Sequence, residues 1–482
     1  MDQPPYAVPD SVPDSAVGAR PHDPYAVALG NASLLGVGYL LLGRRGTAAV
    51  TFLVTVVLLS LLGSSQRSGR FELVVLLWWA AMTAHGWYLA HGWATRRRMP
   101  VRAQRLIALA VALPVLLAAG LLRLDASRIE HRVTDARLSG DCAKALDAQG
   151  DVWSGPRLAD APLTAHGDRT VRACRRLAAA EHQLTTGLSG DTHALATGFD
   201  ELAAVLKDLP GHQKMVDTAL DGFLRGLPTK VPCDTAAVTD WLRGRRPSRN
   251  GLDRSAAVVP RTAPAALVGC GDDLMSAKEW ARARTRYQQQ LDQYPDAGRA
   301  LAAKARGGVR QATLALELAT VRDRLGTSTD TEPAYCSKPA KYSAAAPYRK
   351  GTNRALFYGD DEYTGRLPAS WQATDVTKAV LIVCVGTKDY GTTVATCPYE
   401  NKLMPQFPQD VKFRRIAIPV KVYELRTGRL VTDTKIQIDG GSCPRRLEYT
   451  TYTSIDIGPP SEVYVTPATS DIRAAFTSLI NR

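Results

Sequence analysis

Cysteine is missing from the first 141 residues of the chain, and all eight cysteines (Cys142, Cys174, Cys233, Cys270, Cys336, Cys384, Cys397 and Cys443) follow them. None belongs to a CxxC or a Cys/His pair with ligand spacing, which removes a structural zinc site. The signatures of common chemistries are missing too: GxSxG, HExxH, the Walker loop and GxGxxG. No catalytic residue, metal or cofactor is assigned. The start, MDQPPYAVPDSVPDSAVGARPHDP, lacks the basic residues of a signal peptide; acidic and proline-rich, it reads as a disordered tail over residues 1–24. Ionisable groups are scarce in the apolar runs that follow, chiefly Glu72, His85 and His91, which argues against a proton- or ion-coupled carrier.

What the chain does have is a sharp change of composition. From about Tyr25 to Leu122 it is dominated by Leu, Val, Ala and Gly; after Arg123 it reads as ordinary soluble protein. Ala48–Leu62, Phe71–Ala90 and Leu106–Leu122 approach the roughly 20 apolar residues of a spanning helix. Tyr25–Gly43, Gly-rich and polar at Asn31, is a fourth candidate, so a bundle of three or four helices is expected over residues 25–123. Trp78, Trp79, Trp87, Tyr88 and Trp93 suit an interfacial belt or packing against neighbouring helices. The loop before the last run carries Arg96, Arg97, Arg98, Arg102 and Arg105. Arginine-rich loops stay cytoplasmic, so the last span leads outward and residues 124–482 are expected outside. Membrane topology accounts for much of the net charge of +14, and no groove-reading motif supports a nucleic-acid partner.

The cysteines agree with that topology. An even number confined to the outer portion is the pattern of an oxidising compartment. Cys142 and Cys174 are 32 residues apart, Cys233 and Cys270 are 37 apart, and each pair precedes a helical stretch closing on a similar phrase, LKDLP or LDQYP. A Trp follows the first cysteine of each pair, at Trp153 and Trp241. We read a degenerate duplication of roughly 90 residues, with copies over 140–230 and 231–326, each holding one disulfide. Helical spacing runs through residues 124–326, as where Phe199, Leu202, Val205 and Leu206 share one face.

In the second copy, Gly271, Ala283, Tyr287 and Pro295 stand at the spacing of the tetratricopeptide repeat, and the segment resembles that family over about 34 residues within 264–320. Leu274 and Gln290 depart from its pattern, and the first copy has Gly198 and Leu202 at the equivalent places. The resemblance implies paired helices that bind peptides or partner proteins. A disulfide-stapled stalk is the plainer alternative.

Residues 327–353 are Ser/Thr/Pro/Ala-rich and read as a linker or irregular lead-in. Beyond them the pattern turns to strands, with a hairpin turn at RTGR and a final helix whose N-cap is expected at Ser470, giving a β-rich domain over 354–482. Cys384 and Cys397, on adjacent expected strands, are expected to pair, leaving Cys336 for Cys443. Asp360, Asp361 and Glu362 lack the alternation of a calcium loop and read as a solvated turn. His85 and His91, six residues apart on a helix, are rotated roughly 120° from each other and suit packing better than a shared ligand.

The expected fold is therefore an α-helical membrane bundle, an extracytoplasmic α-helical repeat region similar to tetratricopeptide repeats, and a small β-rich α+β C-terminal domain. The expected role is that of a bacterial envelope protein, a non-catalytic scaffold whose partners are membrane lipid and envelope proteins. The runner-up is a receptor whose C-terminal domain binds a wall fragment or small solute; a carrier or channel is third.

Overall fold

The computed structural model describes residues 23–64, 69–92, 101–152, 161–326, 332–359, 361–400, 406–450 and 458–482. The tail to residue 22, Arg96, Arg97, Arg98, Trp93, Trp153, residues 327–331 and Asp360 lie outside them. The chain divides into two compact units, 1–230 with 237–262, and 231–236 with 263–482.

The first unit opens with a helical hairpin. Asp23 caps α1 (Pro24–Ala32) by accepting from the Tyr25 amide, and Pro24 suits the first turn, where its missing N–H is no loss. The chain then turns through Leu34 and Gly36, at φ 65° and 69°, into α2 (Val37–Leu41). Gly38 lies so close to α1 that a Cβ there would stand 2.1 Å from the Val27 carbonyl oxygen. The fourth apolar run is thus two short helices folded on each other. Among the described residues three helices are long and apolar enough to cross a membrane, within α3 (Arg45–Ser64), α4 (Gly69–Gly92) and α5 (Val101–Ser139). Only 11–22% of their apolar windows is buried, so most of their leucines and valines face outward.

α5 continues for several turns past its apolar part, and Ile129 and Val133 pack there against Ala148 and Val152. The chain then forms α6 (Cys142–Gly150), α7 (Ala161–Gly187), α8 (Thr192–Asp208), α9 (Gln213–Arg225) and α10 (Pro232–Gly244). Asp191 caps α8 by accepting from the amides of His193 and Ala194. Of the face expected on α8, Phe199, Leu202 and Val205 are buried and Leu206 is half-buried.

α11 (Val259–Ser276) belongs to the second unit from Ala263 onward, where it forms consecutive helical hairpins with α12 (Trp280–Gln293) and α13 (Arg299–Leu325), with Lys278 at φ 61° in the first turn and Pro295 in the second. The mixed sheet comprises β1 (Ala355–Gly359), β2 (Leu381–Val385), β3 (Asp389–Tyr399), β4 (Gln409–Glu424), β5 (Arg429–Ile438) and β6 (Glu462–Tyr464). β1 runs parallel to β2, and β4 pairs with β2, β3, β5 and β6. Long β4 takes β2 opposite residues 420–424 and β3 opposite 409–417 on one edge, and β5 and β6 on the other. The RTGR turn joins β4 to β5, with Gly428 at φ 71°.

Both faces of β2 are buried. On one, Leu381, Val383 and Val385 meet Ile472, Phe476 and Leu479 of the closing helix α14 (Thr469–Ile480). On the other, Ile382 and Cys384 meet Tyr335, Cys336, and Val321 and Leu325 of α13. The cap of α14 is Ala468, not Ser470; Asp471 in the first turn reaches back and accepts from the Ala468 amide at 2.8 Å. The irregular stretch ahead of β1 is fastened to α13: Glu317 accepts from the Ser343 amide at 2.8 Å, and Arg324 donates to the carbonyls of Lys338 and Pro339.

All eight cysteines are bonded. Cys142 joins Cys174 and Cys233 joins Cys270, as the duplication predicts. The C-terminal pairing is different: Cys336 joins Cys384 and Cys397 joins Cys443. β2 and β3 do not lie side by side but follow one another along β4, Cys384 opposite Lys421 and Cys397 opposite Val411. Ten residues of strand put roughly 33 Å between them, beyond the reach of a disulfide.

Candidate interaction surfaces

The residues that carry the repeat pattern form a packing centre in the second unit. Tyr287, only 2% exposed, sits between α11 and α13, where a Cβ on Gly271 or on Gly308 would come within 2.5 Å of its ring. Its hydroxyl donates to Asp272 at 2.6 Å, and Lys304 pairs with the same carboxylate at 2.7 Å. Burial and that bond to Asp272 raise the phenol's pKa well above its ordinary value. Ala283 is fully buried beside it, while Pro295 is exposed. Gln290, also buried, donates to the Tyr294 carbonyl at 3.4 Å and leaves its own carbonyl oxygen without a partner. A partner cannot reach Tyr287. It would meet the opposite side of α12, a shallow depression of about 500 Å³ lined by Arg284, Thr285, Gln288 and Asp292 among others.

The first unit holds a different kind of surface. A cleft of about 510 Å³ runs between α9 and the 3-10 turn Gly251–Val258, with Leu224 and Val258 as apolar lining and Arg225, Arg254 and Arg261 at its walls. Arg254 is held in place, pairing with Asp221 at 2.8 Å and donating to the Asp217 carbonyl at 2.7 Å. Arg225 and Arg261 are exposed and have no partner among the described residues. Two free guanidinium groups beside a pinned third, over an apolar floor, suit an acidic side chain flanked by apolar ones. No sequence signal pointed to these arginines; they are 36 residues apart and converge only through the fold.

Of the acidic residues read as a solvated turn, Glu362, in the short helix Asp361–Thr364, is engaged rather than open. Glu362 pairs with Lys388 at 2.5 Å, and although burial would raise its pKa, the hydrogen bonds from Lys388 and Tyr363 lower it overall. Tyr363 is pushed up to about 12 by burial and by Glu362. Lys388 also lies 5.5 Å from the ring centre of Tyr464, which stacks on Tyr390 at 4.4 Å, and the Arg414 guanidinium lies 5.9 Å from the ring centre of Tyr390. Cations thus approach both rings, while Tyr390 stays 38% exposed.

In the membrane-length helices the polar groups are tied to neighbours. Trp78 donates to the Thr55 hydroxyl and Trp79 to the Ala32 carbonyl, so both pack rather than form a belt. His85 Nδ1 lies 2.9 Å from the Tyr39 hydroxyl and His91 Nδ1 lies 3.2 Å from the Trp87 carbonyl oxygen, so the two rings engage different neighbours. Of the topology arginines described, Arg105 pairs with buried Asp23, and Arg102 is exposed one turn before it.

Comparison with protein-family models, with curated proteins and with solved structures returns no match for this chain.

Proposed function

We propose that the protein is a membrane-anchored scaffold of a bacterial envelope, with residues 124–482 outside the membrane and the arginine cleft of the first unit as its docking surface for an acidic segment of another envelope protein. The observation that carries the reading is the distribution of cysteine. Every one follows the third membrane-length helix, and all eight are bonded, which suits an oxidising compartment. Further support comes from α5, which runs without a break from its apolar half into the helical layers. A continuous helix would hold the docking surface at a set distance from the bilayer, as a flexible tether would not.

Thiol labelling of intact cells tests the compartment: labelling should be negligible without reductant and appear with an impermeant reductant added outside. Free thiols reachable only after lysis would overturn the proposal. A photo-crosslinker at Thr218 tests the docking surface. The Arg225→Glu/Arg261→Glu variant should lose about tenfold or more of any specific adduct, because like charges would then face the partner; undiminished adducts would remove the cleft from the reading.

A further inference from the structure

Where α1 runs along α5, a groove of about 420 Å³ is lined by Ala26, Leu29, Leu106 and Leu109, with Tyr25 and Arg105 at its mouth. The two helices meet through a buried stripe on α5, where the small side chains of Ala108 and Ala112 let α1 come close and Gln104 accepts from the Asp23 amide at 3.3 Å. That leaves Leu106 and Leu109 beside the contact, 66% and 47% exposed. The polar end is built with some care. Asp23 is 5% exposed, caps α1 and receives the Arg105 Nε–H. Occupying Nε fixes the plane of the guanidinium, and neither of its terminal nitrogens has a partner among the described residues. Arg102, three residues earlier, falls on the same helix face. Along α5 the order is therefore two cations and then two exposed leucines, the profile of a lipid headgroup and its acyl chain.

We propose that this groove is a site for one anionic glycerophospholipid, its phosphate accepting from the two terminal nitrogens of Arg105 with Arg102 alongside, and one acyl chain lying over Ala26, Leu29, Leu106 and Leu109. Charge complementarity selects an anionic headgroup, since Asp23 already balances one of the two arginines and the second remains uncompensated. The inference rests on the reading of α3, α4 and α5 as membrane spans, and places the lipid in the leaflet at the arginine-rich end.

The test uses the full-length chain in a neutral maltoside detergent, titrated with phosphatidylglycerol or phosphatidylcholine of matched acyl chains and read by native mass spectrometry. One phosphatidylglycerol adduct should form at concentrations where phosphatidylcholine does not bind. Arg102→Gln/Arg105→Gln should weaken it about thirtyfold, from about fivefold for each cation near a lipid surface. Leu109→Trp, which fills the groove without touching a charge, should weaken it too. Arg128→Gln/Arg132→Gln, the same change of charge farther along α5, should leave it intact, and soluble glycerol phosphate should not displace it. Equal binding of the two lipids, or an undiminished adduct in both groove variants, would overturn the lipid site. Release of the chain from membranes by alkaline carbonate would overturn the spans as well, so the two failures are distinguishable.

Discussion

Replacing Gly271 with alanine puts two effects of opposite sign in competition at one atom. In a helix interior alanine is favoured over glycine by about 1 kcal/mol. Against that, the new Cβ would stand 2.5, 2.6 and 2.8 Å from three carbons of the Tyr287 ring. The ring cannot slide away, because Gly308 holds its other face as closely, and swinging it out would break the 2.6 Å bond from its hydroxyl to Asp272. Overpacking of this kind costs about 1–3 kcal/mol, and a lost hydrogen bond to a charged group about 1.5–3 kcal/mol. Steric cost therefore wins, with a net loss of about 1 kcal/mol once the helix gain is subtracted from a midpoint of about 2 kcal/mol. Hydrogen exchange of the full-length protein in nanodiscs reads this as roughly fivefold faster exchange of amides in α11, α12 and α13. On a Tyr287→Leu background the same substitution should turn stabilising, since the ring that opposes it is gone. Slower exchange in the single variant would mean that the ring is not gripped, and the packing argument would fail with it.

Lowering the pH should loosen the first unit through His212. The ring is 3% exposed, with Nδ1 at 2.9 Å from the Leu209 carbonyl oxygen and Nε2 at 3.2 Å from the Thr170 hydroxyl. Burial, reinforced by Arg137 and Arg169 and only partly offset by the backbone bonds, holds its pKa below the ordinary 6.5, so the folded state keeps it neutral. Its contribution is complete above that value and falls by about 1.4 kcal/mol for each pH unit below it, until the folded form protonates; His212→Gln should flatten the loss of thermal stability between pH 7.5 and 5.0, and an unchanged slope would exclude the histidine. Peptide mapping without reduction should find Cys336 linked to Cys384 and Cys397 to Cys443, and a Cys384–Cys397 peptide would refute the strand arrangement. Cys384→Ser opens a loop of 48 residues and should cost about 4 kcal/mol on the chain-entropy estimate, visible as greater protease sensitivity of the sheet.

The two disulfides of the helical region were legible because their marks are local. A cysteine at the start of one helix and another inside the next long helix recur in both copies, and both bonds form within a few tens of residues. The packing role of Gly271, Ala283 and Tyr287 was legible for the same reason: residues spaced over two short helices can meet only if the helices fold back on each other. The arginine cleft was not. Arg225 closes one helix and Arg261 lies in the first turn of another, and nothing periodic relates them. Charge alone gave no guide, since arginines occur throughout the chain and most serve exposed ion pairs or solvated faces.

An alternative left open in the sequence and an expectation that fails share one physical cause, the assumption that neighbours in sequence keep a single direction. Tyr25–Gly43 has the length and composition of a span, but hydropathy averages over a window and is blind to one turn. Leu34 and Gly36 take left-handed backbone conformations and Gly38 admits the Val27 carbonyl, so the same residues fold back on themselves as two short helices. The hairpin is tied to α4, where Asn31 and the Tyr39 hydroxyl both donate to the Met82 carbonyl. In the sheet the error runs the other way. β2 and β3 are consecutive strands separated by three residues, which invites a hairpin, yet Gly386 donates to the Pro419 carbonyl and keeps the chain advancing along β4 instead of reversing. A hairpin would have brought Cys384 beside Cys397. Continuing in one direction carries Cys397 to the far end of β4 and leaves Cys384 beneath Tyr335, where the partner within reach is Cys336.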